Sequence, residues 1–272
     1  MRWLLLRGLI RESRHWLDFP AFFEAHVRGP DDTPTQVVLV DLPGFGTQND
    51  AVVPPTVEGF VDDMRVRLHQ IVPAGEPCGI VAVSLGGMVA LTWLAKHPED
   101  FAAGVVINSS MGDVSPLWHR MRPKNWPKVF RAPFMDLRAR ERMLLGMTRR
   151  QGDLDVDADR YALIGASTTP RRQNAVGQIR AAIKVKSPAR IDVPTLVLAS
   201  TGDNLVSYKC SEAIARRLSL PIKLHEGTGK AAAGHDLPVD DPNWVCARIN
   251  EWMAEAAPRT RGPAAGDVRS RA

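Results

Sequence analysis

Six short apolar runs, at residues 3–6, 37–40, 79–83, 104–107, 195–199 and 222–224, recur along the 272-residue chain. Each is continuous rather than alternating, and Gly, Pro or Asp bounds it. A strand covered on one face alternates, whereas an unbroken run fits a parallel strand buried on both faces. Helical patterns lie between the runs. In 56–72, the residues Val57, Phe60, Val61, Met64, Leu68 and Ile71 fall on one helical face. Further helices are expected at 85–97, ending before Pro98, at 208–218 with Ser207 as N-cap, and at 244–256. Strand alternating with helix predicts an α/β fold with a doubly wound, mainly parallel six-stranded sheet.

The rhythm breaks between 112 and 190. No strand pattern occurs there, only helix-like segments at 135–150, 158–166 and 170–185, the last with Pro170 at its start, where a missing N–H costs little. Such a block between two strands predicts a helical cap, 112–190, inserted in a core made of 1–111 and 191–257. The tail 258–272 has no apolar face and is expected to be disordered.

Composition excludes several classes. With 44% hydrophobic and 24% charged residues the chain is neither a disordered polymer nor a fibrous repeat. No apolar run approaches the roughly 20 residues of a membrane-spanning helix. Cys78, Cys210 and Cys246 are odd in number and widely spaced, so neither a disulfide framework nor a zinc spacing emerges. The opening Met1–Leu6 is like a secretion signal, but Arg7 interrupts it and no small-residue cleavage site follows. A cytoplasmic protein is expected.

The net charge of +5 averages unlike regions. Residues 112–190 hold 17 Lys/Arg against 7 Asp/Glu, a net +10; the tail adds +3 and the remainder carries −8. A basic cap over an acidic core predicts an acidic partner, such as a carrier protein, or an anionic ester, with Arg138, Arg140 and Arg142 as the expected contacts. A solvated helical surface explains the charge as well. No nucleic-acid recognition motif is present.

The chemistry-bearing segment is Ala82-Val83-Ser84-Leu85-Gly86, between a strand and a helix. A nucleophile on so sharp a turn needs small residues two positions either side, and alanine meets that need in place of the usual glycine. The turn places Ser84 at the sheet's C-terminal edge and the Leu85 amide at the helix start, as an oxyanion donor. His235 stands in a loop, Ala233-Gly234-His235-Asp236, after the last strand, and is the candidate base. Asp203 follows the 195–199 strand and is the candidate orienter of the imidazole. As bland alternatives, Ser84 sits in a tight turn, His235 on the surface, and Asp203 caps a turn. The order Ser84…Asp203…His235 matches one hydrolase fold and differs from the others.

On these residues the sequence resembles the α/β-hydrolase superfamily over nearly its whole length. Asp41-Leu42-Pro43-Gly44-Phe45-Gly46 resembles that family's Asp-x-Pro-Gly-x-Gly loop, and Gly234-His235-Asp236-Leu237…Asp241-Pro242 its histidine loop. Arg7-Gly8-Leu9 occupies the place of the family's His-Gly-x loop, which implies the Leu9 amide as second oxyanion donor and puts a positive charge near the pocket floor. The similarity is greatest to small capped carboxylesterases, including pimeloyl-carrier-protein methyl ester esterases. It implies hydrolysis of a small-molecule or carrier-bound ester or thioester through an acyl-enzyme, with no cofactor and no metal. Gly8, Trp118, Phe134 and Met147 are the expected substrate contacts. The family's N-terminal hairpin has no counterpart here, which implies a sheet edge that is exposed or covered by a partner. A C–C bond hydrolase, an acyltransferase, and a slow or non-catalytic binding protein on the same fold stay open as alternatives.

Overall fold

A computed structural model describes residues 1–29, 32–73, 75–168 and 171–256. Its centre is a six-stranded sheet built from β1 (Arg2–Leu6), β2 (Gln36–Leu39), β3 (Cys78–Val83), β4 (Phe101–Ile107), β5 (Thr195–Ser200) and β6 (Ile222–His225). The order is β2-β1-β3-β4-β5-β6, and every pairing is parallel. Parallel neighbours need a crossover, and the chain supplies it with α1 (Phe19–His26), α2 (Val57–His69), α3 (Leu85–Lys96) and α9 (Lys209–Leu218), and with a helical insert between β4 and β5; α11 (Pro242–Ala256) follows β6 and packs beside α1.

The continuous apolar runs have their physical reason in two cores. Leu4, Leu6, Ile80 and Ala82 point into one, shared with Phe60, Met64 and Leu94. Their neighbours Trp3, Leu5, Val81 and Val83 point into the other, with Trp16, Phe23 and Trp252. Alternate residues serve opposite faces and both faces are dry, so no polar position interrupts the run.

Between β4 and β5 the described residues form helices only: α4 (Leu117–Arg120), α5 (Trp126–Arg131), α6 (Leu137–Thr148), α7 (Leu154–Ser167) and α8 (Arg172–Lys184). A short α10 (Leu237–Asp240) follows the histidine loop. The helical insert is tied to the C-terminal edge of the sheet at three places. Arg122 N–H donates to the Leu205 carbonyl after β5, Asp236 N–H after β6 donates to the Thr148 carbonyl, and Asn174 donates to the Gly44 carbonyl after β2.

Two expectations shift. The 208–218 helix begins at Lys209, and Ser207 does not cap it, because its amide is drawn to the His119 carbonyl at 2.8 Å and no side-chain cap bond forms. The sheet edge at β2 is partly covered, since the Glu24 carboxylate of α1 accepts from Val37 N–H at 2.6 Å. Pro170 and the tail 258–272 lie outside the described residues.

Candidate functional site

Ser84 sits between β3 and α3 with φ 59° and ψ −119°, a backbone state that costs a side-chain-bearing residue free energy. Neighbours enforce it. Ser84 N–H donates to the Ile107 carbonyl at 3.0 Å, and Ser109 Oγ donates to the Ser84 carbonyl at 2.8 Å. A Cβ on Gly86 would stand 2.6 Å from the Arg7 carbonyl oxygen, so only glycine lets helix and strand approach there. From Cys78 to Leu94, Ser84 is the single position that is not buried. The fold therefore spends strain to bring one hydroxyl out of a sealed strand–helix junction.

His235 Nδ1 lies 2.7 Å from Asp203 Oδ2, and both side chains are buried. The other oxygen, Asp203 Oδ1, accepts from Leu205 N–H at 2.7 Å and Val206 N–H at 3.0 Å. The turn-capping alternative and the imidazole-orienting role thus coexist on one carboxylate, and the first fixes the geometry of the second. Asn108, at the end of β4 with φ 46°, completes the frame. Its amide nitrogen donates to the Gly234 and His235 carbonyls, and its oxygen accepts from Ser200 N–H. Sequence reasoning missed Asn108; an asparagine directly after a buried strand, where it tolerates positive φ, was the available signal. Ser84 Oγ and His235 do not hydrogen-bond in this state, and such bonds often tighten only when substrate is present.

The loop after β1 is a turn from Gly8 to Arg11, closed by Arg11 N–H to the Gly8 carbonyl at 3.2 Å. Leu9 occupies its second position, and that closing bond does not use the Leu9 amide. The Leu85 amide is likewise free of an intrahelical acceptor, being the first of α3. Gly8 lies close against Ser84, because a Cβ there would stand 2.9 Å from Ser84 Cβ. Ile10 has φ 60°, a strained value for a β-branched residue, and its amide donates to Gln178 Oε1 at 3.1 Å. Gln178, fully buried on α8, also donates to the Pro43 carbonyl at 3.3 Å. One helical side chain thereby ties the loops after β1 and β2 together.

Arg7 does not leave a bare charge at the pocket floor. Its guanidinium binds the Asp236 carboxylate through two bonds, 2.7 and 2.8 Å, and lies over Trp16 at 4.7 Å. Burial alone would push the Asp236 carboxyl up. The Arg7 charge, assisted by Arg149 and His235, outweighs it and holds that carboxyl below the usual range. Arg149 in turn donates through Nε to Asp240 at 2.6 Å, and Asp240 accepts from Gly234 N–H at 2.7 Å. The backbone on both sides of His235 is therefore held by buried charge.

The expected substrate contacts divide. Gly8 adjoins Ser84 and Met147 is buried, but Trp118 and Phe134 are exposed. The stretch that carries them is fixed to the loop after Asp203 through Arg122 N–H to the Leu205 carbonyl and Asn125 Nδ2 to the Asn204 carbonyl, and both rings face solvent. Among the described residues no cluster of His, Cys, Asp and Glu could hold a metal ion, and no helix is long and apolar enough to cross a membrane.

The family model described as Serine aminopeptidase, S33 matches residues 32–239. The biotin biosynthesis bifunctional protein BioHC of Teredinibacter turnerae is 23% identical over 94% of this chain and 45% of its own length, so the chain spans about half of that relative. Among solved structures, a hydrolase from Pseudomonas aeruginosa PA01 aligns with TM-score 0.69 at 18% identity, covering 93% of this chain and 89% of that one. A thermophilic esterase from Thermogutta terrifontis aligns with TM-score 0.64 at 19% identity, covering 94% and 90%.

Proposed function

The chain belongs to the Serine aminopeptidase, S33 family and has the α/β-hydrolase fold, and from that premise we propose that it is a serine hydrolase that cleaves a carboxylic ester or thioester. Ser84 is the nucleophile, His235 the general base and then acid, and Asp203 the group that orients and stabilises the imidazole. His235 Nε2 takes the Ser84 Oγ proton while Oγ attacks the acyl carbonyl. The Leu9 and Leu85 amides hold the oxyanion. Collapse of the tetrahedral intermediate breaks the bond to the leaving group, which His235 protonates. Water, deprotonated by His235, then hydrolyses the acyl-enzyme, releasing the acid and restoring Ser84.

The observation that carries this reading is the buried 2.7 Å bond between His235 Nδ1 and Asp203 Oδ2. It fixes the tautomer that leaves Nε2 free to act on a serine. The preference for an ester rests on the similarity to esterase folds and on a relative with a role in biotin biosynthesis, and a carrier-bound acyl methyl ester in the cytoplasm is the specific expectation. A fluorophosphonate probe and p-nitrophenyl esters test the reading. Ser84→Ala should lose labelling and about 10⁵–10⁶-fold in kcat. Undiminished labelling or turnover in that variant would remove Ser84 from the chemistry.

A further inference from the structure

The helical insert carries its positive charge in two different ways. On α6 and α7, Arg138 pairs with Asp159 and Asp155, and Arg142 with Asp155. From Val114 to Met135 the chain holds no Asp or Glu and five Lys/Arg: Arg120, Arg122, Lys124, Lys128 and Arg131. Among the described residues none of the five pairs with a carboxylate. Arg120 is taken up by the carbonyls of Ala182 and Ile183, while Lys128 and Arg131 point to no partner.

The same stretch holds the four most exposed Phe, Trp and Tyr side chains among the described residues: Trp126 at 38%, Trp118 at 60%, Phe130 at 74% and Phe134 at 86%. Trp126 and Phe130 are four apart on α5 and share a face, and Phe134 follows at the same interval. Exposing rings of this size to water is costly, and an aromatic patch rimmed by cations marks an interaction surface. A cavity of about 460 Å³ opens beside it, lined by Trp118, His119, Arg122, Lys124, Tyr208 and Lys209.

We propose that residues 117–134, with this cavity, bind peripherally to an anionic phospholipid bilayer. Phe130 and Phe134 insert among the acyl chains, the tryptophans sit at the interface, and the cavity's cations take a phosphate-bearing headgroup. A bilayer fits better than an acidic protein because Phe130 and Phe134 stand 74% and 86% exposed, with most of each ring outside the packing of the fold. A deformable lipid surface admits such wedges without a matching socket. The segment is fixed at the catalytic edge, since Arg122 N–H donates to the Leu205 carbonyl and Asn125 Nδ2 to the Asn204 carbonyl, directly after Asp203. The inference does not depend on Ser84 being the nucleophile.

Vesicle co-sedimentation of the full chain tests it, using phosphatidylcholine alone and phosphatidylcholine mixed with phosphatidylglycerol. Binding is expected to the mixed vesicles only, and to weaken as salt is added. Lys124→Gln with Lys128→Gln should weaken partitioning by about 25-fold, near fivefold per cation. Phe130→Ser with Phe134→Ser should weaken it at least about tenfold. Arg138→Gln with Arg142→Gln, an equal change in net charge on the paired surface, should leave it within about twofold. Thermal melts establish that each variant is folded. No binding to mixed vesicles, equal losses from the two charge pairs, an unaffected phenylalanine pair, or capture by an acidic carrier protein without vesicle binding would each overturn the proposal.

Discussion

Arg7 and Arg142 each hold an aspartate at short range, 2.7 Å to Asp236 and 2.6 Å to Asp155. The first pair lies under the histidine loop with both side chains about 95% buried; the second stands half-exposed on the insert's outer surface. In water the solvent nearly replaces what a partner offers, so the exposed pair holds little. In the interior each charge has surrendered its hydration, and the partner is what makes its burial tolerable. The buried set, Arg7–Asp236 and Arg149–Asp240, therefore acts as a rigid frame for His235, whereas the exposed set neutralises a helix surface. The stretch 117–134 is a third case: Lys124, Lys128 and Arg131 are exposed, and no carboxylate among the described residues neutralises them.

Among the buried charges, the largest effect should come from deleting one beside His235 without changing its shape. Asp203→Asn keeps the side-chain volume and presents His235 Nδ1 with the wrong partner, so the imidazole adopts the other tautomer. A loss of about 10⁴ in kcat is expected, with the melting temperature far less affected. A loss under about tenfold would mean that Asp203 serves only its turn.

Next is the buried pair. Arg7→Met leaves Asp236 ionised with no guanidinium, and urea unfolding should show a loss of about 3–5 kcal/mol. The pH dependence checks the cause. Because the folded pKa of Asp236 is depressed, it contributes stability above its unfolded value, lost as pH falls through the folded one. Without Arg7, burial dominates and raises that pKa, so the sign reverses: acidification from about pH 6 to about pH 4 should narrow the gap between wild type and variant. A constant gap would show that Arg7 acts through packing on Trp16 instead.

His15 offers a milder probe of the same interior. It is buried against Tyr161 and beside Glu12, and burial first, then the nearby Arg11, Arg7 and Arg14, hold its pKa well below the ordinary histidine value. The unfolded chain then takes up a proton that the folded one refuses. Stability should fall between about pH 7.5 and 5.5, by at most about 1.4 kcal/mol per pH unit for one proton. His15→Gln should flatten that part of the profile.

The six strands, the alternation with helices, the insert and the order Ser84, Asp203, His235 were legible because each rests on local pattern: continuous apolar runs, small residues around a serine, glycines around a histidine. The frame was not. Asn108, Asn174 and Gln178 read as ordinary polar residues, since their partners are backbone carbonyls and amides 126 to 168 residues distant in sequence, at Gly234, Gly44, Pro43 and Ile10. Arg7 read as a stray charge because Asp236 lies 229 residues away. Composition located the insert's positive charge, but only the antiparallel contact of α6 with α7 revealed that Arg138 and Arg142 face aspartates.

The exposed arginines give the smallest effect. Of the cations expected to meet an acidic partner, Arg138, Arg140 and Arg142, the first pairs with Asp159 and the last with Asp155. Side-chain bonds to those aspartates raise both arginine pKa values, and the raised pKa marks a local pairing rather than a strong one. Both stay fully ionised at neutral pH in either state, so neither links stability to pH in that range. Arg142→Ala should leave the melting temperature unchanged within error, where Arg149→Ala, which strips Asp240 of its buried partner, should lower it by several degrees. If the two variants melted alike, burial would not be what separates these pairs.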